Sequence, residues 1–169
     1  YRGDALAMSV VHDATNKNVY FTEQYTGPNG SFSGDFGWHM QNVVIGTTNN
    51  WSKTVLEWNL ANNSNLGPHT PGGCTTCLGA VTITNSTSYT KNVAYYIIGH
   101  ASKFVPQNSV RIASTQTENI ATAAFTTPLG KTVLIVQNDS ESAENFNIKF
   151  KGNSASVSIP GKSAATYIF

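Results

Sequence analysis

Asn145-Phe146-Asn147-Ile148-Lys149-Phe150, Lys151-Gly152-Asn153 and Ala155-Ser156-Val157-Ser158-Ile159 decide the fold of the second part of the chain. Apolar residues alternate with polar ones at Phe146, Ile148 and Phe150, and again at Val157 and Ile159. That is the two-residue period of strands with one buried face and one wet face. Lys-Gly-Asn between them is turn chemistry. Working outward, the same pattern recurs at 110–114, 121–126, 132–137 and 164–169, with Thr127-Pro128-Leu129-Gly130, Asn138-Asp139-Ser140 and Pro160-Gly161-Lys162 as breaks. Short strands spaced by roughly ten residues predict a β-sandwich over residues 106–169.

Upstream of Phe104-Val105-Pro106 the character changes. Asp4 can cap a short helix carrying Ala5, Met8, Val11 and His12 on one side. Val19-Tyr20-Phe21-Thr22 reads as a buried strand that Glu23 ends. Phe36, Met40, Val43 and Val44 fall at i, i+4, i+7 and i+8, an amphipathic helix. Residues 54–60 form a second strand candidate, and 61–78 a long loop rich in Asn, Gly and Pro. A small hairpin around Asn85-Ser86 and a helix through Ala94, Tyr95, Ile98 and Ala101 complete this part. Strands alternating with helices imply parallel βα units. The predicted fold class is therefore α/β in residues 1–105 and all-β in 106–169.

Only 11% of the 169 residues are charged, with a net charge of +1. No basic excess exists for a phosphate backbone, so nucleic acid is not an expected partner. No apolar run approaches the ~20 residues of a membrane span. Polarity comes from 16 Ser, 20 Thr and 18 Asn. A surface of neutral hydroxyls and amides suits a secreted, carbohydrate-facing protein. Five sequons, at Asn29, Asn50, Asn62, Asn85 and Asn138, support secretion weakly in so Asn-rich a chain. The start, Tyr1-Arg2-Gly3-Asp4, has no basic or apolar signal segment.

Cys74 and Cys77 are spaced as CxxC. A local disulfide in an oxidising compartment is the favoured reading. A thioredoxin-like redox pair lacks its strand and helix, and a zinc site with His69 lacks further ligands. The four histidines, His12, His39, His69 and His100, show no ligand spacing and read as structural. Glu23 is the first candidate for chemistry, because parallel βα architectures place active sites at the carboxyl ends of strands. A capping glutamate is the plain alternative, and spacing alone favours it. Glu57-Trp58-Asn59 is the second candidate, an indole face and an amide suited to a sugar. A core tryptophan is its alternative. In a strand, Glu57 and Asn59 point opposite to Trp58, so either Trp58 or Glu57 faces a site, not both.

Phe21-Thr22-Glu23-Gln24, Leu56-Glu57-Trp58-Asn59-Leu60-Ala61 and Gly99-His100-Ala101-Ser102-Lys103-Phe104-Val105-Pro106, in this order, resemble the C-terminal portion of glycoside hydrolase family 30. Asn65-Leu66-Gly67-Pro68-His69-Thr70-Pro71-Gly72-Gly73-Cys74 is similar to the family's microbial β-1,6-glucanase branch. The resemblance implies the last two βα units of a (β/α)8 barrel in residues 1–105, followed by the β-sandwich of 106–169, with the N-terminal part missing. It implies a secreted retaining hydrolase of a β-linked glucan, probed at Glu23 as nucleophile and at Trp58 and Asn59 as sugar-binding residues. The chemistry calls for no metal or organic cofactor. Its partners would be a β-glucan or glucoside substrate and the N-terminal part of the same enzyme. The family's acid/base glutamate, in an Asn-Glu-Pro setting, is absent, so the chain alone is expected to be inactive. A glucosylceramidase-type activity and a non-catalytic glycan-binding module are the alternatives. An isolated fragment is also expected to expose the apolar faces of Phe36, Met40, Val43 and the two barrel strands, and so to self-associate or be only marginally soluble.

Overall fold

The computed structural model describes residues 4–169. The first three residues of the predicted 1–105 segment lie outside it. The chain divides into two compact units, the first ending at Lys103 and the second running Phe104–Phe169.

The first unit opens with α1 (Leu6–Thr15). The Asp4 carboxylate accepts from the Leu6 N–H at 2.9 Å, and Asn16 closes the helix in the left-handed conformation with φ 52°. No residue of α1 is fully buried; of the side expected to be apolar, Ala5, Met8 and His12 are part-buried and Val11 is exposed.

Two parallel strands follow, β1 (Gln24–Tyr25) and β2 (Glu57–Trp58). They are shorter than the sequence pattern predicts. Val19 pairs with Ser52 only as an isolated bridge. The reason is local: Ser52 Oγ accepts from the Phe21 N–H at 2.9 Å and donates to the Thr54 carbonyl at 2.6 Å. A side chain thus takes up main-chain groups that a continuous ladder would pair. The register from Val19 opposite Ser52 to Gln24 opposite Glu57 is nevertheless unbroken.

Between these strands, Ser31 caps α2 (Phe32–His39) by accepting from the Gly34 N–H at 3.1 Å. The helix passes into a six-residue π segment, Met40–Ile45, and then α3 (Gly46–Asn49). A Cβ at Gly46 would stand 2.9 Å from the Gln41 carbonyl oxygen, so the wider turn suits a glycine there. Phe36, Met40, Val43 and Val44 are all buried. This corrects the expectation that Phe36, Met40 and Val43 would be exposed, whereas Tyr20, Tyr25, Leu56 and Trp58 of the strand segments are exposed. The covering partner is α4 (Val93–Ser102), which buries Val93, Ala94 and Ile97; the Phe36 and His100 rings meet at 5.7 Å.

The segment expected as a loop from residue 61 begins instead with β3 (Ala61–Asn63), parallel to β4 (Val81–Asn85). β5 (Ser88–Lys91) pairs antiparallel with β4, the hairpin anticipated around Asn85-Ser86.

The second unit is two antiparallel sheets. Four strands lie in the order β11 (Ser163–Ile168), β8 (Thr132–Asn138), β7 (Ile120–Thr126), β6 (Val110–Ile112). The other sheet pairs β9 (Glu144–Phe150) with β10 (Asn153–Ile159). Ile120, Val136 and Ile159 form a buried cluster, packed by Leu134, Phe146, Ala165 and Tyr167. Asn138 sits beneath it, fully buried, its Nδ2 donating to the carbonyls of Ser142, Ile159 and Pro160. Asn62 is likewise buried with Nδ2 bonded to the Cys77 carbonyl. In the folded chain these two sequons have no amide nitrogen to offer a glycan, whereas Asn29 and Asn85 are exposed.

Candidate active site

β1 and β2 bring both sequence candidates to one place. Gln24 stands opposite Glu57 and Tyr25 opposite Trp58. Paired residues of a parallel ladder share a face, and side chains alternate along each strand. Tyr25 and Trp58 therefore share one face, 40% and 51% exposed. Glu23 lies one residue before β1, part-exposed, and the two-residue period assigns it to the Tyr25 side. It precedes the ladder rather than ending a strand, as its sequence setting suggested.

Glu57 takes the opposite face. Its side chain is only 3% exposed and meets His39, 6% exposed, with Nδ1 to Oε1 at 2.6 Å. His39 is the last residue of α2, and its ring meets Trp38 edge-on at 5.1 Å. The alternation therefore resolves in favour of Trp58 as the outward residue. Glu57 Oε2 and Asn59 Oδ1 are buried and have no hydrogen-bond partner among the described residues. The Trp58–Asn59 peptide bond is cis. Asn59 is held from behind: its carbonyl accepts from the Ala80 N–H at 2.8 Å, and a Cβ on Gly79 would lie 2.7 Å from Asn59 Oδ1.

The cysteine loop is tied to the end of β1. Cys74 and Cys77 form a disulfide, so both sulfurs are engaged with each other rather than with a metal. Thr26, next after Tyr25, bridges to Leu78, whose N–H donates to the Thr26 carbonyl at 2.8 Å. Asn62 clasps the same turn, donating to the Cys77 carbonyl at 2.8 Å and accepting from the Gly79 N–H at 3.1 Å. No cluster of three or more metal-ligating side chains occurs among the described residues.

The sequence pattern does not single out the roles of His39 and Thr26, and it marks Asn62 only as a sequon. The partner of His39 is 18 positions away, outside any periodic pattern. The other histidines stay apart from this ladder. His12 stacks on Trp51 at 4.0 Å, His69 is exposed, and burial holds the His100 imidazole below its ordinary range.

Comparisons with known proteins add a family context. Residues 108–167 match the family profile described as the glycosyl hydrolase family 30 beta sandwich domain. The endo-1,6-beta-D-glucanase neg1 of Aspergillus fumigatus is 31% identical, over 98% of this chain and 34% of its own length. The endo-1,6-beta-D-glucanase BGN16.3 of Trichoderma harzianum is 27% identical, over 90% of this chain and 32% of its own length. The chain thus spans about a third of the length of these curated relatives. Among solved structures, the endo-beta1,6-glucanase BT3312 superposes with a TM-score of 0.91 at 34% identity, covering 99% of this chain and 39% of its own. SrfJ from Salmonella typhimurium, at 20% identity and a TM-score of 0.89, shares the fold. No described helix is long and apolar enough to cross a membrane.

Proposed function

We propose, from the premise that this chain corresponds to the C-terminal portion of a glycoside hydrolase family 30 enzyme, that it carries the nucleophile side of a secreted retaining β-1,6-glucanase. The observation that carries the reading is one face shared by Glu23, Tyr25 and Trp58 on a parallel ladder, in a chain whose relatives are named endo-1,6-β-glucanases. On this reading β1 and β2 are the last two strands of a (β/α)8 barrel, with its remainder supplied from outside this chain.

Glu23 attacks the anomeric carbon and forms a glycosyl-enzyme, while a second carboxyl protonates the leaving oxygen and later activates water. Trp58 receives the apolar face of the sugar ring, and Asn59 borders it. The second carboxyl needs to stand about 5–5.5 Å from the first. Glu57 does not suit that task, because its side chain is buried against His39 on the other face. On this reading the acid/base group comes from elsewhere in the enzyme, in keeping with the absence of an Asn-Glu-Pro tripeptide from this sequence, and this chain alone should not turn over substrate.

The test uses both forms. The chain by itself should leave an aryl β-glucoside intact. In the complete enzyme, Glu23→Gln should lower kcat by about 10³-fold or more, and a slow fluoroglycoside should add its sugar mass to the Glu23 peptide. Turnover by the isolated chain, or an adduct on another carboxylate, would refute the assignment. Glycan affinity with no hydrolysis in the complete protein would favour a binding module instead.

A further inference from the structure

The mechanism above leaves unused the buried pair next to its tryptophan. β2 is two residues long, so main-chain bonding alone gives it little purchase. The larger apolar side chains of this stretch, Leu56, Trp58 and Leu60, are all more than half exposed. Glu57 and the Asn59 amide oxygen reach the interior, and Glu57 does so against His39.

Burying such a pair is a poor way to gain stability, because desolvation of both groups offsets their attraction. The compensation here is incomplete, since Glu57 Oε2 has no hydrogen-bond partner among the described residues. What the pair does supply is direction. Nδ1 of His39 donates to Oε1 of Glu57 at 2.6 Å, and His39 is fixed in turn by its place at the junction of α2 with the π segment. Successive strand residues point to opposite faces. A Glu57 held inward therefore holds Trp58 outward, beside Tyr25.

We infer that Glu57 and His39 are positioning residues, which set the orientation of the Trp58 indole on the open face. The inference rests on the proposed function for its sugar arm, but not for its geometric arm.

The experiment uses the full 169-residue chain carrying Trp38→Phe and Trp51→Phe, so that Trp58 alone fluoresces. In this background His39→Ala should roughly double acrylamide quenching of Trp58 and weaken binding of a β-1,6-linked gluco-oligosaccharide about tenfold. His39→Asn places an amide Nδ2 where Nδ1 stood and should restore both to within about threefold. Glu57→Ala removes the acceptor from the other side of the contact, so it remains a usable variant should His39→Ala fail to fold; it should show the same two changes. All readings are taken well below each variant's melting temperature. A folded His39→Ala or Glu57→Ala chain with unchanged quenching would overturn the inference. Should the reference chain fail to bind the oligosaccharide, the sugar arm is read in the complete enzyme, while the quenching arm still decides whether the pair positions Trp58.

Discussion

Asn138 offers the sharpest test of how the second unit is held together. Its Nδ2 donates to the carbonyls of Ser142 (2.8 Å), Ile159 (3.3 Å) and Pro160 (3.1 Å), and its Oδ1 accepts from Ser140 N–H and Oγ–H, each at 2.9 Å. Asn138→Ala strips all of these at once. Two carbonyls keep a second donor, Ser142 from Ser140 Oγ and Pro160 from Ser163 Oγ. The Ile159 carbonyl and the Ser140 N–H lose the side-chain partner without such a substitute. At about 1–3 kcal/mol for each of these two groups left short, the loss should be about 2–6 kcal/mol. Asn138→Asp separates hydrogen bonding from packing, because the volume barely changes. It points a second acceptor at three carbonyls, so at pH 7 it should destabilise at least as much as alanine does. Burial among carbonyls would raise the new carboxyl above its unfolded value. Its protonated form is therefore the folding-compatible one, and the deficit should shrink as pH falls toward 4. All three tryptophans precede residue 104, so urea titrations should be read by amide hydrogen exchange in peptides spanning residues 132–138 and 153–168. An Asn138→Asp chain within about 0.5 kcal/mol of the parent at pH 7 would show that the side chain only fills space, and would refute the reasoning.

Two further outcomes follow from the first unit. Burial holds the His100 imidazole below its usual range, so the folded state takes its proton less readily than the unfolded chain; the contribution is intact above about pH 6.5 and is lost as pH falls through that value. The urea midpoint of the first unit should therefore drop between pH 7 and pH 5, and His100→Gln should flatten that drop. Replacing Cys74 and Cys77 by serine opens a very short loop, so chain entropy predicts a cost of about 2 kcal/mol or less; exchange should quicken in residues 70–78, while Asn62 and the Thr26–Leu78 bridge keep the neighbouring turn attached.

The second unit was legible because its signal is periodic. Each of the six strand candidates falls within a few residues of an observed strand, and Phe146, Ile148 and Phe150 do alternate inward. The helix carrying Phe36, Met40, Val43 and Val44 was legible for the same reason, although a repeat of apolar positions does not reveal a π segment, which shifts hydrogen bonds without changing which residues are apolar. The parallel ladder was only half legible. Its apolar runs were visible, but Ser52 interrupts the pairing through its own hydroxyl, and no pattern of hydrophobicity encodes that. β3 was missed because Ala61-Asn62-Asn63 reads as loop chemistry; what makes it a strand is Asn62, buried and spent on the Cys77 turn. Long-range polar contacts such as this and His39–Glu57 carry no local signature.

The ladder also gives one residue type two different fates. Glu23 and Glu57 are the carboxylates of two adjacent strand segments in an unbroken register. Alternation separates them: an odd step along each strand turns one carboxylate to the Trp58 face and the other to His39. A buried, histidine-bound carboxylate is poorly placed to touch a sugar, and a part-exposed one is poorly placed to anchor a strand. Shifting the register of β2 by one residue would exchange the two faces, sending Trp58 inward and Glu57 out. The His39 contact makes that slip costly, since it would pull a paired carboxylate from its partner and press an indole into the space it left. The pair that contributes little to net stability thus guards the register on which the open face depends.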